Sequence, residues 1–148
     1  MADTRVQLEV EDWVRREWMP NYFGKRFRHE RLSLSSGGVF DFDAVSDDDS
    51  MVATISTGGA KTASGKLAVG KLLKIRSGMF FLLLAAKAQR RVVVLTEPDM
   101  LELCKKEVEG GRVPASIEFV LAEIPAHLID KLKKARAVSS KEVSPTSS

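Results

Sequence analysis

The first half of the chain shows one helical pattern followed by three patterns of period two. Val10, Val14 and Trp18 recur every four residues, which predicts a helix over 6–19 that ends at Pro20. Alternating apolar and polar residues then predict three successive strands. The predicted strands cover 27–35, 39–46 and 51–57, and turns rich in Gly, Ser and Asp separate them.

The second half alternates helical patterns with short apolar runs. A proline-free stretch rich in Leu, Lys and Ala predicts a long helix over 64–87, kinked at 77–78 and buried on all sides over 79–84. The elements predicted after it are strands over 91–96 and 117–124 and helices over 99–109 and 125–137. A Ser-rich stretch over 139–148, which also contains Lys and Pro, predicts a disordered tail.

This order of elements predicts an α/β fold. Three strands joined by short turns form an antiparallel meander, and the strand after the long helix joins by a right-handed crossover. We therefore expect one domain over 1–138, with a mixed sheet sandwiched between helices.

Composition narrows the class of protein. The chain has 148 residues, 44% hydrophobic and 29% charged, as in a soluble globular domain. Its single cysteine, Cys104, excludes a disulfide framework and a cysteine-based zinc site. Since no apolar run reaches the ~20 residues that span a bilayer, we expect a cytoplasmic protein with no membrane partner.

The charges are grouped along the chain although the net charge is only +3. Four bases and one acid lie within 22–31, five aspartates and no base within 38–50, and five bases and no acid within 61–76. An acidic segment between two basic ones could hold a cation close to bound phosphates, or all three could be ordinary solvated faces. The candidate phosphate-binding residues of the first group are Lys25, Arg26 and Arg28.

The glycine-rich segment 58–66 lies between a predicted strand and a predicted helix. It does not match a nucleotide-binding P-loop, because Ala60 replaces the first glycine and Leu67 replaces the magnesium-binding hydroxyl. We therefore expect no nucleotide cofactor. A glycine-rich turn at a helix N-terminus still favours phosphate binding, although a flexible loop capped by Ser64 is the alternative. The candidate residues are Lys61, Thr62, Ser64 and Lys66.

Asp41 and Asp43 are predicted to share one face of the second strand. Buried carboxylates need a partner, and Mg²⁺ or Mn²⁺ prefers carboxylate oxygens. The alternative is a strand edge that faces solvent.

The segment GGVFDFDAVSDDDSMVATIST (37–57), set in this order of elements, resembles the PD-(D/E)XK nuclease superfamily, which has a restriction-endonuclease-like αβββαβ core. The resemblance implies metal-dependent cleavage of phosphodiester bonds, with Asp43 as the principal ligand of Mg²⁺ or Mn²⁺. Asp41, or Glu11 on the first helix, would supply the second acid. The sequence departs from the family at 54–56, where Thr-Ile-Ser replaces the (D/E)-x-K motif.

Thr54 and Ser56 are expected on the same side of the sheet as Asp43. They would therefore occupy the positions of the family's acid and lysine without carrying their charges. Lys61 or Lys66 would then replace the missing catalytic lysine. Two hypotheses follow: a metal-dependent nuclease acting on DNA, or an inactive module of the same fold that binds nucleic acid or a protein partner. Both hypotheses are compatible with a homo-oligomer.

Overall fold

All five strands of the structure, a computed structural model that describes residues 5–62 and 64–143 with side chains through residue 137, belong to one mixed sheet. The strands are β1 (Phe27–Ser33), β2 (Val39–Ser46), β3 (Met51–Ser56), β4 (Arg90–Leu95) and β5 (Ile117–Leu121), adjacent in that order. The pairs β1–β2 and β2–β3 are antiparallel, whereas β3–β4 and β4–β5 are parallel. The predicted α/β class and mixed sheet are confirmed.

The N-terminal helical region is longer than its sequence pattern predicts. It comprises α1 (Arg5–Trp13), a π-helical segment (Val14–Trp18) and α2 (Met19–Phe23). Pro20 does not end it, because this proline stands in the first turn of α2, where a missing backbone N–H is tolerated. The helix ends instead at Gly24, whose φ of 71° is readily adopted only by glycine.

Helix α3 (Val69–Leu83) is shorter than predicted. It begins five residues after Ser64, because 60–62 pair with 65–68 in a short hairpin-like loop. Gly78, where the sequence predicts a kink, lies close to β3: a Cβ at this glycine would lie 3.3 Å from Thr54 Cγ2. Nor is this helix buried on all sides, since Phe80 is 58% exposed.

Two helices complete the fold, α4 (Pro98–Glu109) and α5 (Ala126–Val143). Helix α5 extends into the segment for which the sequence predicts disorder, and residues 144–148 lie outside the described part of the chain. Among the described residues, no helix has both the length and the apolar content that crossing a bilayer requires.

Helices cover the sheet on both faces, and each face has its own core. On one face, α1, the π-helical segment and α5 pack over β-strand residues that include Ala44 and Ile55. On the other, α3 and α4 pack over Phe42, Val45 and Val93. A side chain on β2 or β3 therefore contacts one of two different sets of helices, depending on which face of the sheet it occupies.

The alternation of side chains between the two faces of the sheet is interrupted partway along β2. Its register against β1 shifts so that a single β1 residue faces both Asp43 and Ala44, which is a β-bulge. As a result Phe42 and Val45 face α3, whereas Ala44 between them faces α1. The regular alternation predicted from sequence, with Phe42 and Ala44 on one face, is therefore wrong at this point.

We predict that Phe42→Ala lowers the free energy of unfolding by about 3–5 kcal/mol, the usual cost of removing a fully buried phenylalanine. Phe42 is 0% exposed in the core beneath α3. Phe80→Ala is the matched control, because it deletes the same atoms from a ring that is 58% exposed. Urea denaturation of both variants tests the prediction, and equal losses would contradict it.

Candidate functional site

The structure places Glu11 of α1 beside Asp43 of β2. The two carboxyl groups are close enough to share a hydrogen bond, and the Glu11 side chain is only 20% exposed. Helix α1 presents Glu11 because Val10 and Val14, both fully buried, anchor the adjacent strip of the helix on the sheet. The bulge brings Asp43 to the same face.

The Glu11 carboxyl group has a pKa raised to about 7. Burial is the largest cause, followed by the charge of Asp43 and its hydrogen bond with Glu11. The Arg15 guanidinium opposes this shift, with Nη1 at 3.4 Å from Glu11 Oε1. The site can therefore exchange a proton near neutral pH.

Asp43 also has a structural role in the sheet. Backbone pairing between β2 and β3 is confined to Ala44 opposite Ala53 and Val45 opposite Val52. Beyond the bulge, Asp43 Oδ2 accepts a hydrogen bond from the backbone N–H of Ile55 at 2.8 Å. The carboxylate thus substitutes for a strand carbonyl, which explains an acid in the sheet without any ligand.

Thr54 and Ser56 do not share the site with Asp43, contrary to the expectation from strand alternation. Thr54 contacts Gly78 of α3, on the opposite face of the sheet from Glu11. Ser56 follows it with the same period of two along β3. The physical reason is the bulge, which turns Asp43 toward α1. The β3 residues on the face that α1 covers are Met51, Ala53 and Ile55.

Asp41 does not join this site either. Arg31 of β1 lies directly opposite it in the strand pair and donates from Nε to Asp41 Oδ1 at 3.0 Å. Both side chains are more than half exposed, and the hydrogen bond from Arg31 lowers the pKa of Asp41. The proposed role of Asp41 as a metal ligand with Asp43 is therefore not supported by this geometry.

Two bases of the first basic group are neutralised by the aspartate-rich turn after β2. Lys25 Nζ lies 2.7 Å from Asp48 Oδ2, and Arg28 Nη2 lies 2.7 Å from Asp49 Oδ1. The hydrogen bonds from Lys25, and then those from serine neighbours, hold the pKa of Asp48 well below its usual range. Asp48 and Asp49 of this turn therefore pair with these two bases. Arg26 is exposed and has no ion pair within the described residues.

The glycine-rich segment forms a closed loop that precedes α3. Ala68 N donates to Ala60 O and Thr62 N to Lys66 O, both at 2.7 Å. At its tip, the hydroxyls of Thr62 and Ser64 lie 2.9 Å apart. The prediction that this segment forms a phosphate-binding turn at a helix N-terminus is wrong, because α3 starts only at Val69 with Ala68 as its N-cap.

The lysines of this loop and of the start of α3 are exposed. Lys71 lies across Gly58, where an added Cβ would come within 2.9 Å of its Cδ. Within the part of the chain that the structure describes, none of these lysines forms an ion pair or a side-chain hydrogen bond. The group comprises Lys61, Lys66, Lys71 and Lys74, which we call the loop–α3 lysines.

Sequence reasoning missed three polar contacts that organise these regions. Arg15 follows Glu11 by four residues, a spacing that could have identified it. Asp99, at the start of α4, accepts from Ala60 N at 3.1 Å and anchors the loop. Arg136 of α5 donates to Thr57 O at 2.6 Å and pairs with a glutamate after β4. The last two contacts join residues far apart in sequence, so no local pattern signals them.

The residues around Asp43 do not fit the divalent metal site that the resemblance implies. Mg²⁺ and Mn²⁺ take about six ligands, mostly oxygens. Within 5–62 and 64–143, no three residues of the types Asp, Glu, His and Cys lie together as metal ligands would. One oxygen of each carboxylate already accepts from the protein, Glu11 Oε1 from Arg15 and Asp43 Oδ2 from Ile55 N–H.

No family model, curated protein or solved structure matches this chain.

We predict that Glu11→Gln becomes more stable relative to the original protein as the pH rises from about 4.5 to about 7. These are the ordinary pKa of a glutamate and the raised pKa of Glu11 in the folded protein. A raised folded pKa means that the folded state holds the proton more tightly, so stability is lost as the carboxyl group ionises. Glutamine cannot ionise. Its advantage should thus grow by at most roughly 1.4 kcal/mol per pH unit.

Thermal unfolding of both proteins across this interval measures the difference. Glu9→Gln is the control, because its carboxylate pairs with Lys131 at the surface, away from Asp43. A Glu11→Gln difference that does not change with pH would show that burial beside Asp43 does not raise the Glu11 pKa.

Proposed function

We propose that this chain is a restriction-endonuclease-like domain that binds nucleic acid, DNA in the first instance, without cleaving it. The observation that supports binding is the loop–α3 lysine group, four exposed ammonium groups with no acidic partner among the described residues. Unpaired lysines are free to replace the counterions of a phosphate backbone.

The sequence around these lysines strengthens the proposal. Between Asp49 and Glu97 the chain contains no acidic residue. Arg76, on the same helix, differs from the four lysines because it pairs with Glu107 of α4 at 2.6 Å. The hydroxyls of Thr62 and Ser64 at the loop tip add hydrogen-bonding groups of the kind that contact phosphates.

The absence of cleavage follows from the residues on β3. In the family that the chain resembles, an acid and a lysine on this strand share a face with the strand-two aspartate. Here Ala53 and Ile55 occupy the face that Asp43 shares, and both are buried in the core. Lys66 and Lys71 precede or belong to α3, which packs on the other face. No described lysine replaces the missing one beside Asp43.

Fluorescence anisotropy with a labelled duplex tests the binding. We expect an affinity that falls as salt rises, and Lys66→Gln/Lys71→Gln should lower the slope of log K against log salt by roughly two. Lys25→Gln/Lys105→Gln is the matched control, because it removes the same charge from lysines that already have acidic partners. Equal losses in both double variants, or no binding at low salt, would contradict the proposal.

Metal-dependent cleavage of DNA is the second candidate function. One observation favours it, the contact between Glu11 and Asp43, which places an acid of the first helix beside the strand-two aspartate. Incubation with supercoiled plasmid and Mn²⁺ distinguishes the candidates, and we expect no nicking above background. Asp43→Asn is the control, since asparagine can still accept from Ile55 N–H. Nicking that this variant abolishes would establish the nuclease instead.

A further inference from the structure

We infer that Arg15 is the resident cation of the Glu11–Asp43 pair, and that it excludes divalent metal ions from this site. The inference goes beyond nucleic-acid binding and does not depend on it. It concerns the face of the sheet that α1 covers, whereas the helix bearing Lys71 and Lys74 packs on the other face.

The first observation is the set of contacts that Arg15 makes. Its Nη1 lies 3.4 Å from Glu11 Oε1 and 3.0 Å from the backbone carbonyl oxygen of Asp43. Its Nη2 lies 3.1 Å from Asp12 Oδ1. The guanidinium thus takes oxygen ligands from both elements that meet at the site, as a bound cation would.

The second observation is burial. The Arg15 side chain is 14% exposed and that of Glu11 is 20% exposed, so water screens this pair weakly. Its neighbour Arg16 is 72% exposed and pairs with the outer acid, Asp12, at 3.0 Å. The two arginines therefore differ in role although they are adjacent in sequence and carry the same charge.

These contacts favour the arginine over a metal ion as the cation beside the two acids. An arginine side chain stays charged at any pH at which the protein is folded. A divalent ion entering the site would meet this fixed positive charge and would have to displace hydrogen bonds that Arg15 and Ile55 make to the two acids. Removal of the guanidinium should therefore create a metal site that the original chain lacks.

Titration with Mn²⁺ alone, without nucleic acid, tests the inference. Loss of the electron paramagnetic resonance signal of free Mn²⁺ reports binding, and thermal unfolding reports stabilisation. We expect the original protein to bind Mn²⁺ at least about tenfold more weakly than Arg15→Met does, a difference of roughly 1.4 kcal/mol. Methionine is unbranched and uncharged and occupies a similar volume along the buried stem of the arginine.

Three further variants make the test specific. Arg16→Met removes the same charge one residue away and should not gain Mn²⁺ binding. Arg15→Lys keeps a cation and should not gain it either. Asp43→Asn combined with Arg15→Met should abolish the gain. If Arg15→Met folds and binds no Mn²⁺, or if Arg16→Met gains as much, the inference is wrong.

The original protein provides a test that does not depend on any variant folding without Arg15. If it binds Mn²⁺ and Asp43→Asn abolishes that binding, Arg15 does not exclude the metal and the inference fails. This result would leave the duplex-binding measurement unaffected. Conversely, loss of DNA binding would leave the Mn²⁺ result standing, so failure of the proposed function and failure of this inference are distinguishable.

Discussion

Backbone pairing between β2 and β3 stops where β2 bulges, and the carboxylate of Asp43 takes over as acceptor for the Ile55 N–H. A buried N–H without an acceptor is costly, so the bulge and the aspartate depend on each other. The same bulge turns Asp43 toward α1 and leaves Phe42 to pack beneath α3. The position of the candidate site, and its separation from the lysine-bearing loop, both follow from this one irregularity.

Charge pairing then divides the surface into two kinds of basic region. The bases before and within β1 meet the aspartates of the turn after β2, because the antiparallel pairing brings the two segments together. No such turn accompanies the loop–α3 lysines, since β3 and β4 are joined by a crossover that contains no acidic residue. Two segments of similar composition thus differ in their availability to a polyanion, and topology rather than composition decides which is free.

Much of the fold could be predicted from the sequence because periodicity reports which face of an element is buried. The three-strand meander, the crossover and the short apolar strand at 90–95 all follow from it. The bulge could not be predicted, because FDFDA alternates regularly up to the bulge and only the pairing with β1 shows the extra residue. The predicted start of α3 is wrong for a related reason. The helix-forming lysines near 66 belong to a loop that is anchored by Asp99, a residue distant in sequence.

The candidate site shows why a pair of acids at a familiar position does not by itself indicate metal catalysis. Asp43 is needed where β2 leaves β3, and Glu11 lies on the strip of α1 next to the buried valines. Once two carboxylates are buried together, a shared proton or a nearby cation must reduce their repulsion. A residue four positions after Glu11 on the same helix can do so without any ligand, and Arg15 stands there. A protein side chain therefore accommodates the two acids at this position, and the arrangement does not require a metal ion.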